Sequence, residues 1–301
     1  MSRDRPCHLP RRIGTFTAHP SSWHATMQTM SAPAAPTSTG DSAATLTVMP
    51  RSPGTVTAAR IYHLAVALVG TAALLLSLYV SATSPVNGGA LNGIIFTLSY
   101  FTVWSNIFAL IINWSLFADP ARDGRGFRWL RMTSLVMIVI TGLIYAILLA
   151  PIANPCGLGV YTNLGFHYIV PWATLLGFLI FGPRPRFTWD LVPKMMLIPV
   201  LWLVYTLIHG ALQSTPPGDK CVNTGLGSPQ NWYPYPFIDL NYDGTGAPSP
   251  LIPGLTAPGY GGVAINIVGV IVLGLLFATI FLGLDRLLSR GQKPTPLPAG
   301  E

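Results

Sequence analysis

Six long apolar runs constrain the fold of this chain more than any other feature of its sequence. The hydrocarbon core of a bilayer is about 30 Å thick, so a helix needs about 20 apolar residues to cross it. Only 9% of the 301 residues are charged, whereas an average soluble domain has about 25%. The sequence therefore predicts an all-α integral membrane protein, a six-transmembrane-helix bundle over residues 59–285. The runs lie at about 60–82, 92–117, 129–151, 162–182, 192–213 and 262–284.

The loops between these runs alternate in charge, which predicts their orientation. The loops at 83–91 and 152–161 contain no charged residue. The loop at 118–131 contains four arginines, and the loop at 183–194 contains two arginines and a lysine. Cytoplasmic loops of membrane proteins are enriched in Lys and Arg. We therefore expect both termini to lie in the cytoplasm, in a bacterial-type plasma membrane.

The segments outside the bundle differ from it in composition. Residues 1–58 are rich in Ser, Thr, Ala and Pro and lack apolar periodicity, as is typical of a disordered tail. Met30 or Met49 could be the true first residue. The loop at 214–261 is rich in Pro, Gly and aromatic residues, and we expect it to fold back on the bundle as an external cap. Residues 286–301 form a second cytoplasmic tail.

Two of the three cysteines, Cys156 and Cys221, fall in the loops predicted to be external. Disulfides form in oxidising compartments outside the cytoplasm. Either the two cysteines pair with each other or both are incidental thiols, and the sequence favours the disulfide.

The charge pattern excludes several classes of function. The net charge of +7 comes from basic residues scattered between the runs, not from a basic stripe with interleaved aromatics, so no nucleic-acid partner is expected. No Asp, Glu, Lys or Arg lies in the interior of the runs, which argues against a proton pump or voltage sensor. Two intramembrane histidines are too few to bind zinc. We expect no metal and no cofactor, and membrane lipids as partners.

Neutral polar residues recur within the runs at helical spacing. Because lipid leaves a polar group without a hydrogen-bond partner, such faces must turn toward one another. Ser, Thr and Asn also hydrogen-bond between membrane helices simply to hold them together, and that interpretation stays open for Ser99, Asn113 and Thr174. The four faces carry Ser99, Thr102, Asn106 and Asn113; Ser134, Met137, Thr141 and Tyr145; Asn163, His167, Pro171 and Thr174; and Trp202, Tyr205, His209 and Gln213.

These residue types suggest one kind of chemistry. A threonine hydroxyl becomes a nucleophile when a base removes its proton, and a neutral histidine is such a base. Thr102 and His167 are the candidates, and the Asn106 amide or a backbone N–H is a candidate donor to the oxyanion of an ester intermediate. A group that orients the histidine must be Asp239 in the cap loop, a tyrosine or a carbonyl, since the runs contain no carboxylate.

Four short stretches resemble the FAR-17a family, which contains the androgen-induced and androgen-dependent transmembrane proteins. SYFTVWSNIF aligns the family's nucleophilic threonine with Thr102, and LGFHYIVPWATLL aligns its essential histidine with His167. WLVYTLIHGAL aligns a late histidine with His209. WYPYPFID matches a Tyr-Pro-Phe-acid motif that ends at Asp239. The resemblance runs in order from residue 60 to residue 284, although the external loop here is longer than in the family.

Animal members of that family are multipass threonine hydrolases that cleave fatty acid esters of hydroxy fatty acids. The resemblance therefore implies an intramembrane hydrolase of lipid esters, with Thr102 and His167 as catalytic residues. Asn106, His209, Tyr205 and Asp239 are expected to be supporting polar groups. Two other hypotheses remain: a non-enzymatic membrane protein that binds or carries an apolar ligand, and a scaffold whose polar faces only hold helices together.

Overall fold

The computed structural model describes residues 52–151, 153–214, 231–241 and 259–289. Across those ranges the chain is helical, and six helices are long and apolar enough to cross a membrane. The predicted all-α architecture with six helices of membrane-spanning length is thus confirmed, and it is compatible with a multipass membrane protein. Most of the two predicted tails and most of the cap loop lie outside the described residues. The six helices are Pro53–Thr83, Phe101–Ala118, Arg125–Leu149, Gly159–Phe181, Leu191–Leu212 and Gly259–Leu287.

The first helix, α1, spans Pro53–Thr83 and begins earlier than the sequence predicts, inside the segment assigned to the tail. Its start is capped: the backbone N–H of Thr55 donates to the side chain of Ser52, and Pro53 occupies the first turn. Proline is favoured there because its fixed φ suits the helix and the missing N–H has no intrahelical partner.

The second predicted run is interrupted at Tyr100, although the sequence predicts one continuous helix. Helix α2 spans Ala90–Ser99 and helix α3 spans Phe101–Ala118, with Tyr100 extended between them at φ −77° and ψ 132°. The last carbonyls of a helix have no partner within it. Two indoles supply such partners here: Trp104 donates to the carbonyl of Leu98, and Trp202 donates to that of Ser99. Residue 102 consequently lies in the first turn of a new helix.

Both central helices contain a π-helical stretch, and the two stretches face each other. Helix α4, Arg125–Ile144, continues as a π-helix over Tyr145–Leu149. Helix α5, Gly159–Asn163, continues through a π-helix over Leu164–Ile169 into α6, Val170–Phe181. Stretches of this kind inside α-helices frequently occur at functional sites.

Pro171 and Gly142 bring α4 and α6 close together beside the second π-helix. Proline has no N–H to donate to the carbonyl of His167, four residues earlier, which disturbs the helical ladder there. A Cβ added at Gly142 would lie 2.9 Å from the Cβ of Pro171 and 3.5 Å from the carbonyl oxygen of His167. The glycine is therefore required for this approach.

The rest of the bundle consists of α7, Leu191–Lys194, α8, Leu197–Leu212, and α9, Gly259–Leu287. The described part of the predicted cap loop, residues 231–241, is called the cap segment below. It packs on α8 and α9: the N–H of Trp232 donates to the carbonyl of Gly210, and Asn266 donates to the carbonyl of Phe237. A Cβ at Gly210 would overlap the ring of Tyr233, so only glycine fits there.

At the other end of the bundle, two buried charges lie at the edges of the predicted runs 129–151 and 262–284. Arg131 in α4 and Asp285 in α9 are both buried. Arg131 donates to the carbonyls of Gly182 and Pro183, whereas Asp285 accepts from the backbone N–H groups of Arg186 and Phe187. The charges are tolerated because backbone groups of the 182–190 loop solvate them. Hydropathy alone does not reveal these hydrogen bonds between buried charges and the backbone.

Candidate active site

Thr102 and His167, the predicted nucleophile and base, lie side by side. Thr102 stands in the first turn of α3, and its side chain is largely buried. Its Oγ1 lies 3.3 Å from Nε2 of His167, across the interface with the π-helix Leu164–Ile169. Their catalytic roles stay predictions, but their contact meets the first requirement for a hydroxyl–imidazole pair.

The amide of Asn163 orients the imidazole. Nδ1 of His167 lies 2.9 Å from Oδ1 of Asn163, one helical turn earlier. An amide oxygen only accepts hydrogen bonds, so Nδ1 carries the proton and Nε2 directs a lone pair at Thr102. The ring of Tyr145 stacks on the imidazole at 3.7 Å between centroids and 15° between planes. The imidazole of His167 is thus held in one tautomer and one orientation. Thr102, Asn163 and His167 are called the His167 cluster below.

The prediction from the sequence includes Asn163 and Tyr145 only as members of polar helix faces. The orienting group was expected to be Asp239, a tyrosine or a carbonyl, and an asparagine was not considered. The signal was present in the spacing, since Asn163 lies four residues before His167 and therefore on the same helical face.

Tyr235 of the cap segment reaches the same threonine. Its hydroxyl oxygen accepts a hydrogen bond from the backbone N–H of Thr102 at 3.1 Å and lies 3.2 Å from Oγ1. Burial raises the pKa of Tyr235 to about 12, partly opposed by its hydrogen bonds with Thr102, so the phenol is protonated at neutral pH. The sequence named this residue within the WYPYPFID motif but gave it no role.

Asn106 supports the site through its amide hydrogens. Its Nδ2 donates to the carbonyl of Thr102 at 2.8 Å and to the carbonyl of Phe166 at 3.2 Å. The amide therefore ties the first turn of α3 to the residue that precedes His167. Both of its N–H groups are already used on carbonyls, which leaves none for the oxyanion in this arrangement.

His209 and Tyr205 lie in a neighbouring cluster around Ser99. The Ser99 hydroxyl donates to the carbonyl of Ile95 and lies 3.1 Å from the Tyr205 hydroxyl and 3.5 Å from Nδ1 of His209. No described hydrogen bond joins this cluster to Thr102. Tyr205 and His209, predicted to be supporting groups, therefore contact the last residue of α2. His167 contacts Thr102 in the first turn of α3.

Asp239 lies at the far end of the cap segment and is buried. Its Oδ1 accepts from the backbone N–H and the amide of Asn241. Burial raises the pKa of this carboxyl despite those hydrogen bonds. No described hydrogen bond joins Asp239 to His167, whose Nδ1 faces Asn163 instead.

Cys156 is disulfide-bonded, and its predicted partner, Cys221, lies outside the described residues. Across the described ranges, no group of three or more His, Cys, Asp or Glu residues could hold a metal ion.

A cavity of about 100 Å³ opens beside Thr102. Its walls come from α4, α8, α9 and the cap segment, and nearly all of them are apolar. Val200, one of the lining residues, is 42% exposed, so this part of the cavity wall is not enclosed by protein. The polar groups in the lining are Thr102, Thr141, Tyr235 and Asn266.

Comparison of the chain with protein-family models, curated proteins and solved structures found no match.

Proposed function

We propose that this protein is an intramembrane hydrolase of lipid esters in which Thr102 is the nucleophile and His167 the general base. One observation carries the proposal: Oγ1 of Thr102 lies 3.3 Å from Nε2 of His167, whose Nδ1 is held by Asn163. This is the arrangement of an activated nucleophile, in which the base contacts the nucleophile and a third group orients the base.

The reaction has two stages. His167 Nε2 takes the proton of Thr102 as Oγ1 attacks the ester carbonyl carbon, and the tetrahedral intermediate collapses by expelling the alkoxide. The proton on Nε2 passes to that alkoxide, which leaves as an alcohol. Water then attacks the acyl-threonine, with His167 again accepting a proton and returning it to Oγ1. The fatty acid leaves and Thr102 is restored.

The surroundings support an apolar acyl substrate. The cavity beside Thr102 is lined by side chains such as Val136, Ile140 and Leu203, which bind an acyl chain by removing its surface from water. In this proposal a lipid enters the cavity sideways from the bilayer, past partly exposed lining residues such as Val200, without crossing water. The similarity of SYFTVWSNIF and LGFHYIVPWATLL to the FAR-17a family gives a second, independent reason for this substrate class.

The proposal includes a membrane and an orientation: the bundle lies in a bacterial-type plasma membrane, with both termini in the cytoplasm. Two features support it. Arg128 and Arg186 pair with Asp123 at one end of the bundle, where the arginine-rich loops meet. Cys156, which is disulfide-bonded, lies in the uncharged loop that joins the π-helix after α4 to α5. Arginine-rich loops are cytoplasmic and disulfides are not, so the two features agree.

The test uses the full-length protein, purified in detergent and returned to lipid nanodiscs. A fluorophosphonate probe and a fluorogenic long-chain acyl ester report nucleophile reactivity and turnover. We expect labelling and hydrolysis in the wild type and neither in Thr102→Ala. Thr279→Ala is the matched control, because this exposed threonine of α9 bonds only the carbonyl of Leu275 among its described hydrogen bonds. Equal turnover in Thr102→Ala and Thr279→Ala, with both folded, would exclude the threonine mechanism.

The apolar cavity also favours a second function, binding or carriage of an apolar ligand without hydrolysis. The same nanodiscs separate the two. A wild type that binds a fluorescent fatty acid in a manner abolished by filling the cavity, yet neither labels nor hydrolyses, is a carrier or binding protein.

A further inference from the structure

We infer that Tyr235 is a third catalytic residue, whose hydroxyl donates a hydrogen bond to the oxyanion formed when Thr102 attacks an ester. This inference rests on the proposed function and adds a residue from outside the membrane helices to it. The cap segment is then part of the reaction centre, and not only a cover over it.

The hydrogen-bond directions around Thr102 leave one use for the phenol hydrogen. The backbone N–H of Thr102 donates to the oxygen of Tyr235, so that oxygen acts as an acceptor on this side. The Oγ1 hydrogen of Thr102 is directed to Nε2 of His167, which carries no proton. The phenol therefore donates its own hydrogen to Oγ1, 3.2 Å away. At rest, the hydrogen of Tyr235 already points at the reacting atom.

Attack moves negative charge to a position beside that atom. When Oγ1 bonds the carbonyl carbon, the π electrons of the carbonyl move onto its oxygen, which becomes an oxyanion attached to the same carbon as Oγ1. Oγ1 has by then become an ether-type oxygen on the tetrahedral carbon and is a poorer acceptor than the new anion. The hydrogen bond donated by the phenol shifts from Oγ1 to the oxyanion, while the proton stays on the phenol. The electron pair returns to re-form the carbonyl when the alkoxide leaves.

Three other described donors close to Thr102 are already committed. Asn106 donates both amide hydrogens to carbonyls, and the Thr102 N–H donates to Tyr235 itself. Ser105 donates its hydroxyl hydrogen to the carbonyl of Thr102. The phenol is also chemically suited to the task, because burial raises its pKa to about 12 and it remains a donor over the whole working range of pH.

The ring of Tyr235 is fixed before substrate arrives. It stacks on Phe237 at 5.2 Å and 3° between planes and meets the edge of Tyr100 at 5.9 Å. The carbonyl of Phe237 accepts from Asn266 of α9, which anchors the segment. A donor that needs no reorganisation stabilises developing charge more than a mobile one does.

The test compares two single-atom deletions in the cap segment, Tyr235→Phe and the matched control Tyr233→Phe. Both rings are buried, so either variant tests what loss of a buried hydroxyl does to folding. Removing one oxyanion donor typically lowers kcat by about 10²- to 10³-fold. We expect that loss of kcat in Tyr235→Phe, with KM close to the wild type and a lowered Tm because the buried Thr102 N–H loses its acceptor, and no loss of kcat in Tyr233→Phe. Equal kcat in the two variants overturns the inference.

Replacement of Tyr235 by 3,5-difluorotyrosine gives a readout that a structural role does not move. Fluorination lets the phenol ionise at lower pH, and a phenolate cannot donate. We expect the kcat profile of this protein to acquire a new decline at alkaline pH that the wild type and the same replacement at Tyr233 lack. A profile that matches the wild type across the alkaline range overturns the inference.

Failure of the proposed function is distinguishable from failure of this inference. A folded wild type that neither labels nor hydrolyses esters overturns both. A wild type whose turnover depends on Thr102 but not on the Tyr235 hydroxyl overturns only the role of Tyr235.

Discussion

Two regions of this bundle contain the same three residue types and arrange them differently. One is the His167 cluster. The other, the His63 cluster, consists of His63 in α1, Asn113 in α3 and Thr174 in α6, all buried. Nδ1 of His63 lies 2.8 Å from Oδ1 of Asn113, whose Nδ2 donates to Oγ1 of Thr174 at 3.2 Å. Each cluster thus joins a histidine, an asparagine and a threonine by two hydrogen bonds.

The order of the three groups is what differs. Histidine is central in the His167 cluster and touches the threonine, whereas asparagine is central in the His63 cluster and separates the other two side chains. The first cluster borders a cavity of about 100 Å³, but the second borders one of about 10 Å³. A base that does not reach the hydroxyl, in a space without room for a substrate, holds helices together. Residue type alone therefore does not distinguish a reaction centre from a clamp.

Removal of each threonine hydroxyl gives the largest expected contrast. Thr102→Ala is expected to lower kcat for ester hydrolysis by roughly 10⁴- to 10⁶-fold, because it removes the proposed nucleophile. Thr174→Ala leaves kcat near the wild type and lowers the free energy of unfolding by about 1 kcal/mol, the net value of one hydrogen bond. Turnover and Tm of both variants in the same nanodiscs measure the contrast. Comparable losses of kcat would show that the two clusters act alike.

Exchange of each histidine for glutamine has the next largest effect. Glutamine keeps a polar side chain but is not a base, so His167→Gln is expected to lower kcat by about 10²- to 10⁴-fold. His63→Gln is expected to affect Tm and not kcat. Rates of fluorophosphonate labelling provide the measurement. A His167→Gln variant that labels as fast as the wild type contradicts the role of base.

Truncation of each asparagine tests whether it orients a histidine for the reaction or only holds helices together. Asn163→Ala is expected to lower kcat by about 10- to 100-fold, as loss of outer groups that orient a histidine does elsewhere, and to leave KM unchanged. Asn113→Ala removes the central member of the His63 cluster and leaves buried partners unsatisfied, at about 1–3 kcal/mol of stability. Stopped-flow turnover and thermal unfolding read out the two effects. Loss of stability alone in Asn163→Ala would reduce the asparagine to a packing role.

Replacement of a glycine beside each cluster by a larger residue tests the difference in cavity volume, and its expected effect is the smallest. Gly274 lines the larger cavity, and a Cβ there meets Met195 and Met196 at 3.5 Å, an ordinary contact. Gly274→Leu is expected to fill the cavity and raise KM for long acyl esters by about tenfold. At Gly177 a Cβ lies 3.1 Å from the ring of His63, so Gly177→Ala lowers Tm and not KM. A chain-length series of esters gives the readout; an unchanged series in Gly274→Leu means that acyl chains bind elsewhere.

Hydropathy predicted the six helices because length and apolar content are local properties of the chain. Helical spacing also put Thr102 and His167 each on an inward face, but it did not show that these two faces meet. The break at Tyr100 could not be predicted from the sequence, because partners distant in the chain stabilise it. Trp202 caps the carbonyl of Ser99 from α8, and no pattern within residues 92–117 announces that contact.

The remaining parts of the site depend on which inward faces meet. Periodicity gives His63 and His167 equal standing as polar residues within apolar helices. Only the packing of α3 against its neighbours decides that one imidazole faces a threonine and the other an asparagine. Tyr235 was still less accessible, since it comes from a loop whose path is set by Gly210 and Asn266.

The late position of the cap segment in the chain sets the order in which this centre is completed during synthesis. Thr102 and His167 are translated first, followed by the cap segment and then by α9, whose Asn266 anchors it. A nascent chain that has inserted four helices therefore contains the threonine and the histidine without Tyr235 or the cavity walls from α8 and α9. The candidate site is therefore complete only after α9, the last helix in the chain, has been synthesised.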